Sequence, residues 1–176
     1  KVSGVVNGSG SRFAKDLTIN ATIDVQGKGI SAIELWDTKV AGGLAIEGTL
    51  KVTGDEVFSY YGEAWGAHGI VVEGEYEGYD SVTYLNKYTS SVGGNIHNKG
   101  SISVEGPLSV GVVITDVNIG GDIVNEGSIQ AKGRDYFYED EDWPGETIAG
   151  VVSVAGVVVD GVQLSGNIHN KGSIRA

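Results

Sequence analysis

The segment VGGNIHNKGSISVEG, Val92–Gly106, indicates the fold because the chain repeats it. Its centre, GNIHNKGSI, recurs letter for letter at Gly166–Ile174, and Ile119–Gly133 reads IGGDIVNEGSIQAKG. Two weaker copies come earlier: FAKDLTINATIDVQG at Phe13–Gly27 and VAGGLAIEGTLKVTG at Val40–Gly54. A segment used five times in one chain indicates a structural unit that stacks on its own copies.

Alternation of apolar and polar residues gives each copy two faces, because successive side chains of a strand point to opposite sides. One face carries the polar and charged residues, and the other carries apolar residues, asparagine and glycine. This second, inward face is predicted to comprise Ile96, Asn98, Gly100, Ile102 and Val104 in one copy, Ile123, Asn125, Gly127, Ile129 and Ala131 in the next, and Ile168, Asn170, Gly172 and Ile174 in the last.

The spacing of the copies predicts how the chain coils. The copies begin 27, 52, 27 and 45 residues apart. A period of 27 predicts a coil of two or three short strands, and the longer gaps predict inserted loops or degenerate coils, with a weak further copy around residues 70–76. Such coils bury their apolar faces only by stacking, with strands of successive coils paired in parallel. The expected fold is all-β, a single parallel β-solenoid domain over residues 1–176, in the right-handed β-helix form, with about 5–6 coils.

Asparagine on the inward face is the exception that needs an explanation. An unpaired buried amide costs about 1–3 kcal/mol, so Asn98, Asn125 and Asn170 are expected to hydrogen bond along the axis as a structural ladder. Ile19 and Ile46 fill the same slot in the first two copies, so the ladder should be incomplete at the N-terminal end. The glycine two residues after each asparagine is expected to allow a left-handed backbone.

Composition limits the possible partners. The formal net charge is −11, which disfavours nucleic acid because binding it requires a basic footprint. Cations, or surfaces that carry cations, are better suited as partners of an acidic chain. The chain has no cysteine, which excludes disulfides and thiolate metal sites. No stretch approaches the length of an apolar membrane-spanning helix, so no membrane insertion of this chain is expected.

Two acidic, aromatic segments interrupt the repeat: GDEVFSYYGEAW, Gly54–Trp65, and DYFYEDEDW, Asp135–Trp143. They are expected to leave the rod as inserted loops near residues 54–66 and 134–147. Two interpretations stay open, a solvated loop or a recognition site. In the second, calcium is the expected ion because it takes hard oxygen ligands, here from Glu139, Asp140, Glu141 and Asp142. The expected partner-binding aromatic residues are Tyr60, Tyr61, Trp65, Tyr136, Tyr138 and Trp143.

The residues favour a protein that is not an enzyme. His97 and His169 share one repeat position and are predicted to be solvated surface residues. Polysaccharide-active β-helix enzymes, the trailing alternative, need clustered carboxylates, and lyases among them need a positioned base. Here Asp37 and Asp116 occupy matching outer positions about three coils apart, and the chain has three arginines. No phosphate-binding glycine loop or serine elbow is present.

The units VGGNIHNKGSISVEG and IGGDIVNEGSIQAKG resemble the repeats of bacterial autotransporter passenger domains and related large surface adhesins, with their pattern G-x-I-x-N-x-G-[ST]-I. The similarity covers the five copies and the strands between them. The resemblance implies secretion across the outer membrane, an extracellular or bacterial cell-surface location, and structural or adhesive work, for example on a host or cell-surface glycan or protein.

A self-assembling extracellular filament is the main alternative. The chain as given ends at Ala176 within a repeat strand, and it begins KVSGVVNGSGS, which is similar to the SGNIHNKGS half of a unit. Uncapped solenoid ends expose strand edges and favour end-to-end pairing. Copies stacked head to tail through their end coils are the form of homo-oligomer that this predicts. An excised fragment of a longer chain is the other interpretation of such an end, and both stay open.

Overall fold

The computed structural model describes residues 2–60, 63–139, 147–150 and 154–176, and side chains at 10–57, 65–135 and 154–176. Within these residues the regular secondary structure is entirely β-strand. Four parallel sheets have five strands each, and the order of the strands in each sheet follows the order of the coils. The fold is therefore a parallel β-solenoid of about five coils. The described part contains no helix long and apolar enough to cross a membrane.

Each coil passes through four sheets, here named A to D. Sheet A contains β1 (Val2–Ser9), β5 (Ile30–Trp36), β11 (His68–Glu73), β17 (Val110–Thr115) and β23 (Ala155–Asp160). Sheet B contains β2 (Arg12–Phe13), β6 (Lys39–Val40), β14 (Ser90–Val92), β18 (Val117–Ile119) and β24 (Gln163–Leu164). Sheet C contains β3 (Leu17–Ile19), β7 (Leu44–Ile46), β15 (Ile96–Asn98), β19 (Ile123–Asn125) and β25 (Ile168–Asn170). Sheet D contains β4 (Thr22–Gly27), β8 (Thr49–Gly54), β16 (Ser101–Gly106), β20 (Ser128–Gly133) and β26 (Ser173–Arg175).

The register explains the unequal gaps between copies. In sheet C, five residues pair in succession along the rod: Leu17, Leu44, Ile96, Ile123 and Ile168. The gaps of 52 and 45 residues therefore each span a single coil. The additional residues form antiparallel hairpins, which are β9 (Phe58–Tyr60) with β10 (Glu63–Trp65), β12 (Tyr76–Asp80) with β13 (Leu85–Tyr88), and β21 (Tyr136–Glu139) with β22 (Thr147–Gly150).

Three expectations about the coils are corrected. Each coil has four short strands, not two or three. Ile70 and Val72 pair with Ile33 and Leu35 in sheet A, so the weak repeat copy predicted there is wrong. The chain also begins with a sheet A strand, because β1 pairs with β5, and not with the SGNIHNKGS half of a unit. Apolar residues alternate in sheet A and in sheet D alike, as at Ile70 and Val72 and at Ile102 and Val104, so alternation alone does not distinguish one sheet from another.

Inward side chains stack into one apolar column. Leu44, Ile102 and Ile114 are fully inaccessible to solvent, and burying a side chain of this size contributes about 1.5–3 kcal/mol. In the last coil, however, Ile168 is 59% exposed, whereas Ile123 at the same position is 8% exposed. The predicted burial is wrong for Ile168, and likewise for Ile174, Asn170 and Gly172 to differing degrees, because no described coil lies over them.

A column of glycines sets the contact between coils. A Cβ atom on Gly127 would lie 1.9 Å from the carbonyl oxygen of Gly100, and one on Gly100 would lie 2.0 Å from that of Gly48. Gly172 has the same contact with Gly127, at 2.0 Å, and the first coil has Ala21 at this position. These glycines do not have positive φ angles, so the left-handed backbone predicted here is wrong. Glycine is needed because the backbones approach too closely for a side chain.

Candidate interaction surface

The asparagines of the inward face form a row of hydrogen bonds. Asn98 Nδ2 donates to Asn125 Oδ1 at 2.7 Å, and Asn125 Nδ2 donates to Asn170 Oδ1 at 2.8 Å. The next slot toward the N-terminus holds Ile46, which pairs in register with Asn98. Within the described residues Asn98 Oδ1 is buried without a hydrogen-bond partner. The row holds the coils together, and two of its members, Asn98 and Asn125, are buried.

The first predicted loop is the hairpin β9–β10. Tyr60 pairs with Glu63 beside the turn, and Trp65 pairs with Phe58 at the base. Trp65 is half-buried. Tyr61, also predicted to contact a partner, lies outside the described residues.

The second predicted loop is the hairpin β21–β22. Tyr136, Tyr138 and Glu139 lie on its first strand and pair with Gly150, Ile148 and Thr147. The remaining predicted residues, Asp140, Glu141, Asp142 and Trp143, lie outside the part of the chain that the structure describes. In the described part, no group of three or more histidine, aspartate or glutamate side chains is placed to hold a metal ion. The calcium site stays a prediction.

Arg134 joins the bases of these two predicted loops. Its Nη2 atom donates to the carbonyl oxygen of Gly54 at 2.5 Å and to that of Asp55. Gly54 ends β8 in the second coil, whereas Arg134 follows β20 in the fourth. The guanidinium group therefore spans the third coil, and both hairpins leave the same side of the rod.

A third hairpin, β12–β13, was not predicted from the sequence. Tyr76, Tyr79 and Tyr84 are 57%, 53% and 74% exposed, and Val82 in its turn is 84% exposed. The available signal was four tyrosines between residues 76 and 88, together with an aspartate that begins a turn. Exposed aromatic residues grouped on one element are typical of a contact surface.

Ring contacts order the tyrosines of this hairpin. The rings of Tyr79 and Tyr84 meet edge to face with centroids 6.3 Å apart, and those of Tyr76 and Tyr88 meet at 6.0 Å. Pairs of this kind contribute about 0.5–1.5 kcal/mol beyond the area that they bury. Tyr88 is buried, so one ring anchors the hairpin while the other three are exposed.

Asp80 holds the turn of the hairpin. Its Oδ1 atom accepts hydrogen bonds from the backbone N–H groups of Val82 at 2.9 Å and Thr83 at 3.1 Å, and its Oδ2 atom lies 3.1 Å from Lys87 Nζ. These backbone hydrogen bonds, with a further contribution from Lys87, lower the pKa of Asp80 to about 2. The carboxylate is therefore charged and committed to the turn at neutral pH.

The base of the hairpin is fixed to the corner of the rod. Thr89 N donates to Glu75 O at 2.9 Å, Glu75 N donates to Thr89 Oγ1 at 2.7 Å, and Thr89 Oγ1 donates to Asp37 Oδ1. The buried Ser90 hydroxyl accepts from Thr38 N at 3.0 Å. The hairpin thus projects from a fixed base.

Asp37 and Asp116 occupy the corner between sheets A and B. Both have left-handed backbones, with φ of 49° and 54°, and Gly10 and Gly161 have φ of 65° and 60° at the same corner. Aspartate tolerates this conformation better than most residues do. The two aspartates lie in the second and fourth coils, two coils apart and not three.

The histidines lie on the outer face of sheet C. His97 Nε2 lies 2.9 Å from Glu126 Oε2, and Lys171 Nζ lies 3.2 Å from Glu126 Oε1. Hydrogen bonds from Lys171 and then His97 lower the pKa of Glu126. His169 Nε2 lies 3.9 Å from Asp122. His97 is less solvated than predicted, since its side chain is 21% exposed and contacts the next coil.

Charge and tyrosine are concentrated in the inserted segments, residues 55–67, 74–89 and 134–154. These segments contain 12 acidic and 2 basic residues and all eight tyrosines, whereas the rest of the chain contains 11 acidic and 10 basic residues. On the coils, lysines pair with carboxylates of neighbouring coils, as Lys51 does with Asp24 at 2.9 Å and Lys132 with Glu105 at 2.9 Å. The coils are nearly neutral, and the insertions carry almost all of the net charge.

No protein-family model matches the chain, and neither a curated protein nor a solved structure matches it significantly. The parallel β-solenoid therefore rests on the repeat and on the observed register.

Proposed function

We propose that the chain is a non-enzymatic rod, at a bacterial cell surface or outside the cell, that presents acidic, aromatic hairpins to a partner. The observation that carries the proposal is the separation between coil and insertion. The coils hold paired charges and an apolar column, while the insertions hold every tyrosine and nearly all of the net charge. Function on loops held by a rigid scaffold is a common arrangement.

The rod is well suited to hold its hairpins at a distance from the cell surface to which it would be attached. Five coils at ~4.8 Å each give a core roughly 24 Å long. The hairpins extend from coils that are complete without them, since β3 and β7 pair with an offset of 27 residues and no insertion. An exposed aromatic surface on such a support serves binding better than it serves stability.

Replacement of the β12–β13 hairpin tests this proposal. Tyr76 pairs with the buried Tyr88 at its base, so Glu77–Lys87 can be replaced by Asn-Gly, which favours a two-residue turn. We expect unchanged far-UV circular dichroism and lower attachment of the labelled chain to host or bacterial cells, measured by flow cytometry. The matched control keeps the hairpin length and changes only Val82 to Ser. Attachment that is equal in all three chains would contradict the adhesive role.

Assembly through the end coils is the second candidate, favoured by the exposed apolar residues Ile168 and Ile174. A further coil laid on this surface, from the same polypeptide or from another copy, would bury them. Sedimentation velocity at increasing concentration tests the second case. Sedimentation coefficients that rise with concentration, and that no longer rise in the Ile168→Asp variant, would support assembly. A monomer at all concentrations would exclude it for this chain.

A further inference from the structure

The β12–β13 hairpin has an exposed surface, here called its face, that carries aromatic rings and uncompensated negative charge. Tyr76, Tyr79 and Tyr84 are more than half exposed. Glu75 and Glu77, beside them on the chain, are exposed and have no ion pair within the described residues. Lys87, the basic residue of this hairpin, is held by Asp80 at 3.1 Å.

We propose that this face binds a basic segment of a partner protein, with arginine side chains stacked on the rings of Tyr79 and Tyr84 and paired with Glu75 and Glu77. This inference rests on the proposed function and names the chemistry of the partner. A guanidinium group is planar and permanently charged, stacks on aromatic rings and pairs with carboxylates. A single residue type thus satisfies both features of the face.

The charge of the whole chain favours the same occupant. The net charge of −11 lies almost entirely in the insertions, and residues 74–89 contribute three acidic residues and one basic residue to it, so the field around the insertions is negative. Such a field steers a basic partner toward the surface and repels an acidic one. A neutral sugar could stack on the same rings, but its binding would make no use of the two glutamates.

The face is already ordered before any partner arrives. The turn is closed by Asp80, the rings pair edge to face, and Thr89 joins the base to Asp37 on the rod. Tyrosine has few rotatable bonds, so little conformational freedom is lost when it makes a contact. Ordering of this kind lowers the cost of association.

Fluorescence anisotropy with short labelled peptides tests the inference. The probes are a peptide of alternating arginine and glycine, its lysine and glutamate counterparts, and a panel of neutral oligosaccharides as competitors. We expect the arginine peptide to bind more tightly than the lysine peptide, the glutamate peptide not to bind, and affinity to fall as salt is added. The oligosaccharides should not displace the arginine peptide.

Substitutions then assign the binding to this face. Tyr79→Ala with Tyr84→Ala should weaken binding of the arginine peptide roughly 5–10-fold, whereas Tyr84→Phe keeps the ring and should leave it unchanged. Glu75→Gln with Glu77→Gln should weaken binding and reduce its dependence on salt. Val82→Ser, in the same turn, is the control and should have no effect. Circular dichroism confirms that each variant is folded.

Three outcomes would overturn the inference: absence of arginine-peptide binding, equal binding by the tyrosine variants, or displacement by a neutral oligosaccharide. Equal binding of the arginine peptide by the tyrosine variants would mean a general attraction between a basic peptide and an acidic chain. The proposed function fails separately, when replacement of the hairpin leaves attachment to cells unchanged. Lost attachment together with tyrosine-independent peptide binding would reject this inference and keep the proposed function.

Discussion

Two stacked columns of residues determine how closely the coils approach and what fills the space between them. The glycine column, with Gly100 and Gly127, brings backbones together at distances that exclude a Cβ atom. The asparagine row, with Asn98 and Asn125, replaces apolar packing by hydrogen bonds along the axis. Both columns follow from the repeated letters N-x-G. The amide row could be anticipated from the sequence, but the reason for glycine could not, because close approach depends on the neighbouring coil.

Gly127→Ala should destabilise the rod by roughly 1–3 kcal/mol, since the added Cβ atom would overlap the backbone of the preceding coil at Gly100 O. Gly27→Ala is the matched control, because a Cβ atom there meets only Ile30 Cδ1 at 3.5 Å. Urea unfolding measures both free energies. Equal stability of the two variants would show that the coils are farther apart at Gly127.

The asparagine row predicts unequal effects of one substitution at two positions. Asn125→Ile leaves the buried Asn98 amide with no partner and should cost about 1–3 kcal/mol. Asn98→Ile removes one unpaired oxygen but leaves Asn125 Oδ1 without its donor, so the number of unpaired buried amide groups does not rise. It also extends the apolar column from Ile46, so the loss of stability should be smaller than for Asn125→Ile. Thermal unfolding of both variants compares them, and a larger loss for Asn98→Ile would contradict the described direction of the hydrogen bonds.

The three hairpins differ in how far the sequence predicts them. Those at residues 58–65 and 136–150 begin in acidic, aromatic segments that directly follow a repeat copy, and this position made them visible. The hairpin at residues 76–88 follows a sheet A strand instead, and its alternating tyrosines resemble a degenerate coil. Only the pairing of Ile70 with Ile33 separates the two possibilities. Its exposed rings, the main feature of the candidate surface, were therefore missed.

The turn of the β12–β13 hairpin should respond to acid. The pKa of Asp80 is lowered from 3.8 to about 2, so its contribution is fully present above about pH 3.8 and is lost as the pH falls toward 2. The amide NMR signals of Val82 and Thr83 should titrate with a midpoint near 2. Asp80→Asn keeps an acceptor but does not titrate, so these signals should then be constant. A midpoint near 3.8 in the unchanged chain would contradict the hydrogen bonds to the turn.

At the scale of the whole rod, the repeat pattern specifies some features of the fold and leaves others unspecified. The repeat predicted the parallel stacking, and the alternation of apolar and polar residues along the strands predicted the residues of the apolar column. The pattern did not predict that 52 residues make one coil, because apolar and polar residues alternate in the coils and in the insertions alike. Register is a long-range property of pairs such as Ala45 with His97, and the repeat pattern does not specify it. The separation of neutral coils from charged hairpins depends on this register.

Cross-linking of engineered cysteines tests the register most directly, since the chain has no cysteine of its own. Ala45 and His97 pair across one step of sheet C, and His97 pairs with Val124 across the next. Neighbouring strands lie ~4.8 Å apart, within the reach of a disulfide, and strands two steps apart do not. We predict that Ala45→Cys with His97→Cys forms a disulfide on mild oxidation, detected by mass spectrometry, and that Ala45→Cys with Val124→Cys does not. A bridge only in the second pair, or in neither, would contradict a single coil between residues 45 and 97 and with it the assignment of the hairpins.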